Sequence, residues 1–314
     1  MENKCLYCYE TLTGEGDFHE KCSREFFGTS KPPKIPYSLD QMAELAKDVL
    51  ERSVSVPGVQ AKLSMSLIKE SREHSDSRLT VVGSLGGNFI FKPPVEKFPE
   101  MPQNEHLTMR IAGAYNLQVV PSSLIRLASG ELSYITKRID RTENSEKIHM
   151  LDMFQITEAF DKYRSSMEKV GKALNSYSQN PLLDSIFFFE LSLFCFLTGN
   201  NDMHLKNFSM IKSNAGWKLA PVYDLLNVSV VLPEDSEELA LSLDGKKRKL
   251  RKKDFVGFGK RLELTDKQID SAFKRMIKYK PTAFSLIERS FLSDAMKEAY
   301  HDLVDSRYIQ LNQE

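Results

Sequence analysis

No stretch of about 20 uncharged residues, the length a bilayer-spanning helix needs, occurs in this chain. The longest apolar run, Leu182 to Thr198, carries Asp184 and Glu190 and reads as a buried core helix. The start, MENKCLYCYE, lacks the apolar segment of a secretory signal. Net charge is absent as well. Lys and Arg number 43 and so do Asp and Glu, so no global field draws the chain to nucleic acid or to a membrane. These absences lead us to expect a cytoplasmic protein with no membrane partner and no direct sequence-specific contact with nucleic acid. Cysteine is scarce, at four in 314 residues, and Cys5, Cys8 and Cys22 crowd one end. Such crowding in a chain without a secretory signal points to metal more than to disulfides. Cys195 lies in the apolar run and reads as a small core residue. With 41% hydrophobic and 27% charged residues, the chain is globular rather than disordered.

The patterning divides the chain into three parts. Residues 1–30 form a short Cys/His segment of zinc-knuckle type, and the Pro-rich TSKPPKIPYS (29–38) reads as a linker. SLDQMAELAKDVL is expected to be a helix capped by Ser38 or Asp40. RLTVVGSLGGNFIFKPP is expected to be a hairpin turning at Gly86-Gly87. NEHLTMRIAGAYNLQ reads as a helix capped by Asn104, and SSLIRLASGELSYITKRID as two strands around Ser129-Gly130. From about residue 147 helices dominate around a small hairpin, NFSMIKSNAGWKLAPVYD. Asn180 and Pro181 open the apolar helix, Gly199 stops it, and Thr265 with Gln268 has the form of a capping box. The expected fold is α+β, with a small lobe at 39–137 and a helical lobe at 140–314.

The polar knot GNNDMHLKNF, residues 199–208, follows the apolar helix directly. Asp202 and Asn207 are five apart in it, and PVYD places Asp224 after the hairpin. This spacing suits phosphoryl transfer: one carboxylate takes the substrate hydroxyl proton, while an Asn amide oxygen and a second carboxylate hold Mg²⁺. Lys92 ends an apolar strand and Glu105 opens a helix, as in the lysine–glutamate pair that handles ATP phosphates. The loop SVSVPGVQAKLS (53–64) precedes that strand and could cover the phosphates with backbone N–H groups.

These stretches resemble the HipA-family serine/threonine kinases, the toxins of bacterial type II toxin–antitoxin systems, and the short HipT type more than full-length HipA. The resemblance runs through SVSVPGVQAKL, GNFIFKPP, FPEMPQNEHLTMRIAGAYNLQVVP, KRIDR, LDMFQITEA, GNNDMHLKNFSMI, LAPVYDLLNV and LSLDGKKRKLRKKDF, about residues 53 to 255. It implies a two-lobed protein-kinase-like fold with ATP between the lobes. It implies Asp202 as the catalytic Asp, Asn207 and Asp224 as Mg²⁺ ligands, and Lys92 and Glu105 as the phosphate-binding pair. The backbone of Lys137 and Ile139 would face adenine, and Ser55 and Gly58 would lie in the phosphate loop. His204 and Lys206 stand in the catalytic loop; Lys206 would supply its positive charge, while His204 reads as a residue that orients it. Ser53 and Ser55 occupy the place where HipT-type kinases autophosphorylate, and a phosphate carrying about −1.5 to −2 charges there would repel ATP. The family implies an aminoacyl-tRNA synthetase as substrate, and antitoxin partners: a HipS-like small protein, a HipB-like DNA-binding protein, or both.

Rival readings are a small-molecule phosphotransferase on the same fold and a zinc-dependent binding module with an inactive kinase domain. Cys5-x2-Cys8, then ten residues, then His19-x2-Cys22 offers three thiolates and an imidazole, a set suited to structural Zn²⁺. KKRKLRKK (246–253) reads as a solvated face or a helix entry as readily as a docking patch.

Overall fold

The structure is a computed structural model and describes residues 3–52, 62–69, 77–82, 86–142 and 144–313. Ser53, Ser55 and Gly58 lie outside the described residues. The chain forms two compact units. One comprises Met1–His106, Val120–Lys147 and Arg289–Phe291; the other Leu107–Val119, Ile148–Glu288 and Leu292–Glu314.

The first unit holds α1 (Glu20–Phe27), α2 (Leu39–Arg52), the start of α3 (Met101–Ala114) and five strands. These are β1 (Leu63–Lys69), β2 (Ser77–Val82), β3 (Phe89–Lys92), β4 (Ser122–Arg126) and β5 (Leu132–Lys137). They form one antiparallel sheet in the order β2-β1-β3-β5-β4. The expected hairpin of β2 with β3 does not form, because β1 lies between them. Gly87 explains the difference. Its φ is 78°, and a Cβ there would stand 2.5 Å from the Met65 carbonyl oxygen. This glycine serves a close approach to β1 rather than a two-residue turn. Alternate strand residues Leu63, Met65, Leu79, Phe89, Phe91 and Ile135 bury one sheet face against Phe26, Phe27, Ile35 and Met42. The Cys/His segment thus contributes α1 to this core. Ser38 caps α2 with Gln41, their reciprocal bonds being 2.9 and 3.3 Å. Asn104 is no cap: α3 begins at Met101, with Pro102 in its first turn, and the Asn104 N–H donates to Glu100 O at 3.0 Å. The buried interior of this helix outweighs the capping preference of one asparagine.

The second unit is mostly helical. Its elements are β6 (Met150–Asp152), α4 (Met153–Ile156), α5 (Met167–Tyr177), α6 (Pro181–Leu197), β7 (Ser209–Ser213), β8 (Gly216–Leu219), α7 (Val228–Val231), α8 (Lys252–Arg261), α9 (Asp266–Arg289) and α10 (Asp294–Asn312). The β7–β8 hairpin forms as expected and gains β6 as a third strand, in the order β6-β7-β8. Helix α6 runs through the core. Phe188 packs edge-on to Phe208 and Phe258, Phe189 to Phe273, and Cys195 is fully buried. Its two charges have partners: Asp184 accepts from Ser178 Oγ and Leu219 N, and Glu190 from Arg275 Nε at 2.6 Å. No described helix is long and apolar enough to cross a membrane. The basic run 246–253 is a helix entry: Leu250 is buried, Lys246 pairs Asp254 at 2.6 Å, and α8 starts at Lys252.

Candidate active site

In the first unit, Lys92 ends β3 opposite Tyr134 of β5. Its ammonium meets Glu105 Oε1 at 2.6 Å, with the side chains 5% and 2% exposed, and lies 5.4 Å from the Tyr134 ring centre. A buried ion pair carries a desolvation cost of several kcal/mol per ion, so its retention needs a reason beyond stability. At the end of β5, Lys137 N–H donates to Pro121 O at 3.0 Å, which takes that donor out of ligand contact. Ile139 follows, half-buried, before a compact acid–base cluster. There Asp140 accepts from Arg138 Nη2 at 2.7 Å and from Arg141 Nη1 at 2.6 Å. Burial alone would raise the Asp140 carboxyl, but Arg138 and Arg141 hold it below the usual carboxylate range.

In the second unit, α6 closes at Thr198 and Gly199, and the loop after it is built on its own hydrogen bonds. Asn207 Nδ2 donates to the Asp202 carbonyl at 3.0 Å, so the amide nitrogen is spent on the loop backbone. His204 N–H donates to the same carbonyl at 2.8 Å, and Asn207 N–H to His204 O at 2.9 Å. Asn201 ties the loop to Asp235 and to Glu237 O. Asp224 sits in the left-handed region at φ 61°, a costly place for a non-glycine residue that fixes where its carboxylate projects. The segment before it is pinned by Val222 N–H to Gln118 O at 2.7 Å. Tyr223 adds a strut to the loop after α6, donating to Lys206 O at 3.1 Å and meeting Ser209 Oγ at 2.5 Å. Lys206 is exposed, its ammonium 4.9 Å from the Phe154 ring centre.

One residue near the site escaped the sequence. Tyr163 donates its phenol to Asp202 Oδ1 at 2.8 Å and sets its ring edge-on to His204, centres 5.0 Å apart. Burial, then the Asp202 bond, pushes the Tyr163 phenol above its ordinary range, so it remains a donor. An Asx turn at Asp161 shapes this segment, and Leu205 N–H bonds Lys162 O at 3.1 Å. The KY pair in FDKYRSS was the only local signal, and it has no spacing rule. His204 is buried, and burial lowers its imidazole below the ordinary histidine value, although Asp202 and Asp224 pull upward. The ring is thereby held toward its neutral form.

At the N-terminus Cys5, Cys8, His19 and Cys22 converge, with one donor atom from each lying within 4.8 Å of the others. Cys8 Sγ stands 3.4 Å and Cys22 Sγ 3.8 Å from His19 Nδ1. This cluster can hold a metal ion.

A buried lysine–glutamate pair in one unit and an Asp, an Asn and a second Asp in the other are the donor types of a kinase-like fold. The profile of the HipA-like C-terminal domain matches residues 54–284, and the chain belongs to that family. A Haemophilus influenzae protein named "Putative kinase" is 31% identical over 211 residues, 63% of this chain and 59% of that protein. The "Serine/threonine-protein kinase toxin HipA" of Shewanella oneidensis is 27% identical over 213 residues, 61% of this chain and 47% of that one. The chain therefore spans about half to three-fifths of the length of these relatives. Among solved structures, HipA in the Shewanella oneidensis toxin–antitoxin complex of HipA, HipB and operator DNA matches with a TM-score of 0.67. That match has 20% identity and covers 82% of this chain and 65% of the other. The fold is the kinase-like fold of HipA.

Proposed function

We propose that the chain is an ATP-dependent serine/threonine protein kinase and the toxin of a type II toxin–antitoxin system, of the short HipT type. The observation that carries this is the Lys92–Glu105 pair, buried and 2.6 Å apart within a HipA-family chain. The donor set fits the nucleotide: a lysine for phosphate oxygens, and an amide oxygen and a carboxylate for a hard cation. Bound Mg²⁺ would neutralise charge on the ATP phosphates. Glu105 holds Lys92 extended toward the phosphates. Asp202, oriented by Tyr163, accepts the proton of the serine or threonine hydroxyl. Asn207 and Asp224 are the cation ligands, and Ile139 is the backbone contact for adenine.

To this reading belong autophosphorylation at Ser53 and Ser55 and a phosphate loop around Gly58. It also includes an aminoacyl-tRNA synthetase substrate, HipS-like or HipB-like antitoxins, a cytoplasmic location, and a structural Zn²⁺ at Cys5, Cys8, His19 and Cys22. The test is intact-mass analysis of dephosphorylated protein after incubation with Mg²⁺ and ATP, beside Asp202→Gln. The expected result is phosphate gain in the parent alone, mapping to Ser53 or Ser55, and transfer to a synthetase from a panel. Transfer to sugars or aminoglycosides in place of proteins would turn the reading toward a small-molecule phosphotransferase. Nucleotide binding without any transfer would turn it toward an inactive domain.

A further inference from the structure

Two edges of the N-terminal cluster, both to His19 Nδ1, have the length that a tetrahedral zinc site needs, and all four donor atoms lie within 4.8 Å of one another. With Zn–S near 2.3 Å and Zn–N near 2.0–2.1 Å, the ligand–ligand edges of a tetrahedron come to about 3.5–3.8 Å. The two sulfur–nitrogen separations, 3.4 and 3.8 Å, bracket that range. The His19 tautomer supports a metal over simple hydrogen bonding. Nε2 lies 3.2 Å from Thr11 O, a carbonyl that can only accept, so Nε2 carries the proton. Nδ1 then has one lone pair facing two sulfurs, which one metal ion satisfies and one hydrogen bond does not. All four ligands are protein side chains, so the site is structural.

What it structures is Tyr9. This residue follows Cys8 directly, takes φ 69°, and donates its N–H to Cys5 O at 2.9 Å. The turn between the two cysteines therefore decides where the ring goes. The ring is 1% exposed and packs edge-on to Phe291 and to His106, with its hydroxyl 2.9 Å from His106 Nδ1. His106 is the neighbour of Glu105 on α3. We propose that Cys5, Cys8, His19 and Cys22 bind one Zn²⁺, and that this ion, through Tyr9 and His106, holds α3 so that Glu105 meets Lys92. The metal assignment is independent of the kinase reading; the effect on nucleotide rests on it.

The test uses the full chain purified without chelator. Elemental analysis should find one zinc per chain, and exchange with Co²⁺ should give the thiolate charge-transfer and d–d bands of a tetrahedral ion, lost in Cys8→Ser. Hydrogen exchange over 101–110 and Mg–ATP titration are then read in the parent, the zinc-stripped protein, Tyr9→Phe and Ile125→Val. Tyr9→Phe should keep its zinc, exchange faster in α3 and bind Mg–ATP about fivefold more weakly, the worth of one buried hydrogen bond. Ile125→Val, a core change that keeps Tyr9 and His106, should alter neither. Absence of zinc, or iron in its place, overturns the metal assignment. Unchanged exchange in both stripped protein and Tyr9→Phe, or an equal change in Ile125→Val, overturns the coupling. Zinc-dependent protection of 101–110 in a chain that binds no Mg–ATP supports the coupling and sinks the kinase reading instead.

Discussion

Lys92 and Glu105 make a double-variant argument possible. Removing one partner of a buried pair leaves an uncompensated charge and costs about 3–5 kcal/mol, whereas apolar replacement of both is often near neutral. Urea unfolding should therefore show Glu105→Gln strongly destabilised and Lys92→Met/Glu105→Leu much less so, with nucleotide binding lost in both. Tyr163 allows a cleaner kinetic test. Tyr163→Phe keeps the ring against His204 but leaves Asp202 without its phenol donor. Phosphoryl transfer should slow roughly tenfold, the value of a hydrogen bond to a charged group, with nucleotide affinity unchanged. Measured kcat and nucleotide Kd separate the two effects. His204 sets a pH dependence. Burial, reinforced by Lys162, holds the folded imidazole below the ordinary value and outweighs the opposite pull of Asp202 and Asp224. Below about pH 6.5 the unfolded chain takes up a proton that the folded chain refuses, so stability falls on acidification through that range and levels off below the folded value. Thermal melts from pH 5 to 8 should show a shallower fall in His204→Gln.

At the scale of elements, local chemistry predicted more than pairing. The α6 boundaries, the β7–β8 hairpin, the β4–β5 pair and the Thr265–Gln268 box all follow from residues within a few positions of each other. The order β2-β1-β3 did not, because strand neighbours are chosen by which apolar faces share a core. Gly199 joins both kinds of information. Its φ of 65° marks the helix stop in sequence terms, and its carbonyl accepts from Val228 and Ser229, an arrangement visible only in three dimensions. A Cβ there would collide with Leu303 and stand 2.8 Å from Asn227 Oδ1. Gly199→Ala should destabilise by more than about 1 kcal/mol, read as a lower urea midpoint with unchanged slope, because the left-handed backbone and the lost space act together.

At the scale of the molecule, neither unit is a continuous piece of chain. The first takes in Arg289–Phe291, whose carbonyls at Arg289 and Ser290 accept from Lys4 Nζ at 2.8 and 3.0 Å. The second half of α3 falls in the other unit, and Tyr115 just after the helix packs there against Phe194 and bonds Tyr308. A chain shortened at residue 147 loses both sets of contacts and should show no cooperative thermal transition, while the full chain does. What the sequence alone determined is local or motif-borne: the α6 ends and the β7–β8 turn, though not the start of α3 or the partner of β2, together with the clustering of Cys5, Cys8, His19 and Cys22 and the spacing of Asp202, Asn207 and Asp224. Only the tertiary structure placed Tyr163 on Asp202 and Tyr9 on His106, across separations of 39 and 97 residues. Such contacts arise from the packing of whole elements, and no short-range pattern of residues encodes which side chain a distant loop will deliver.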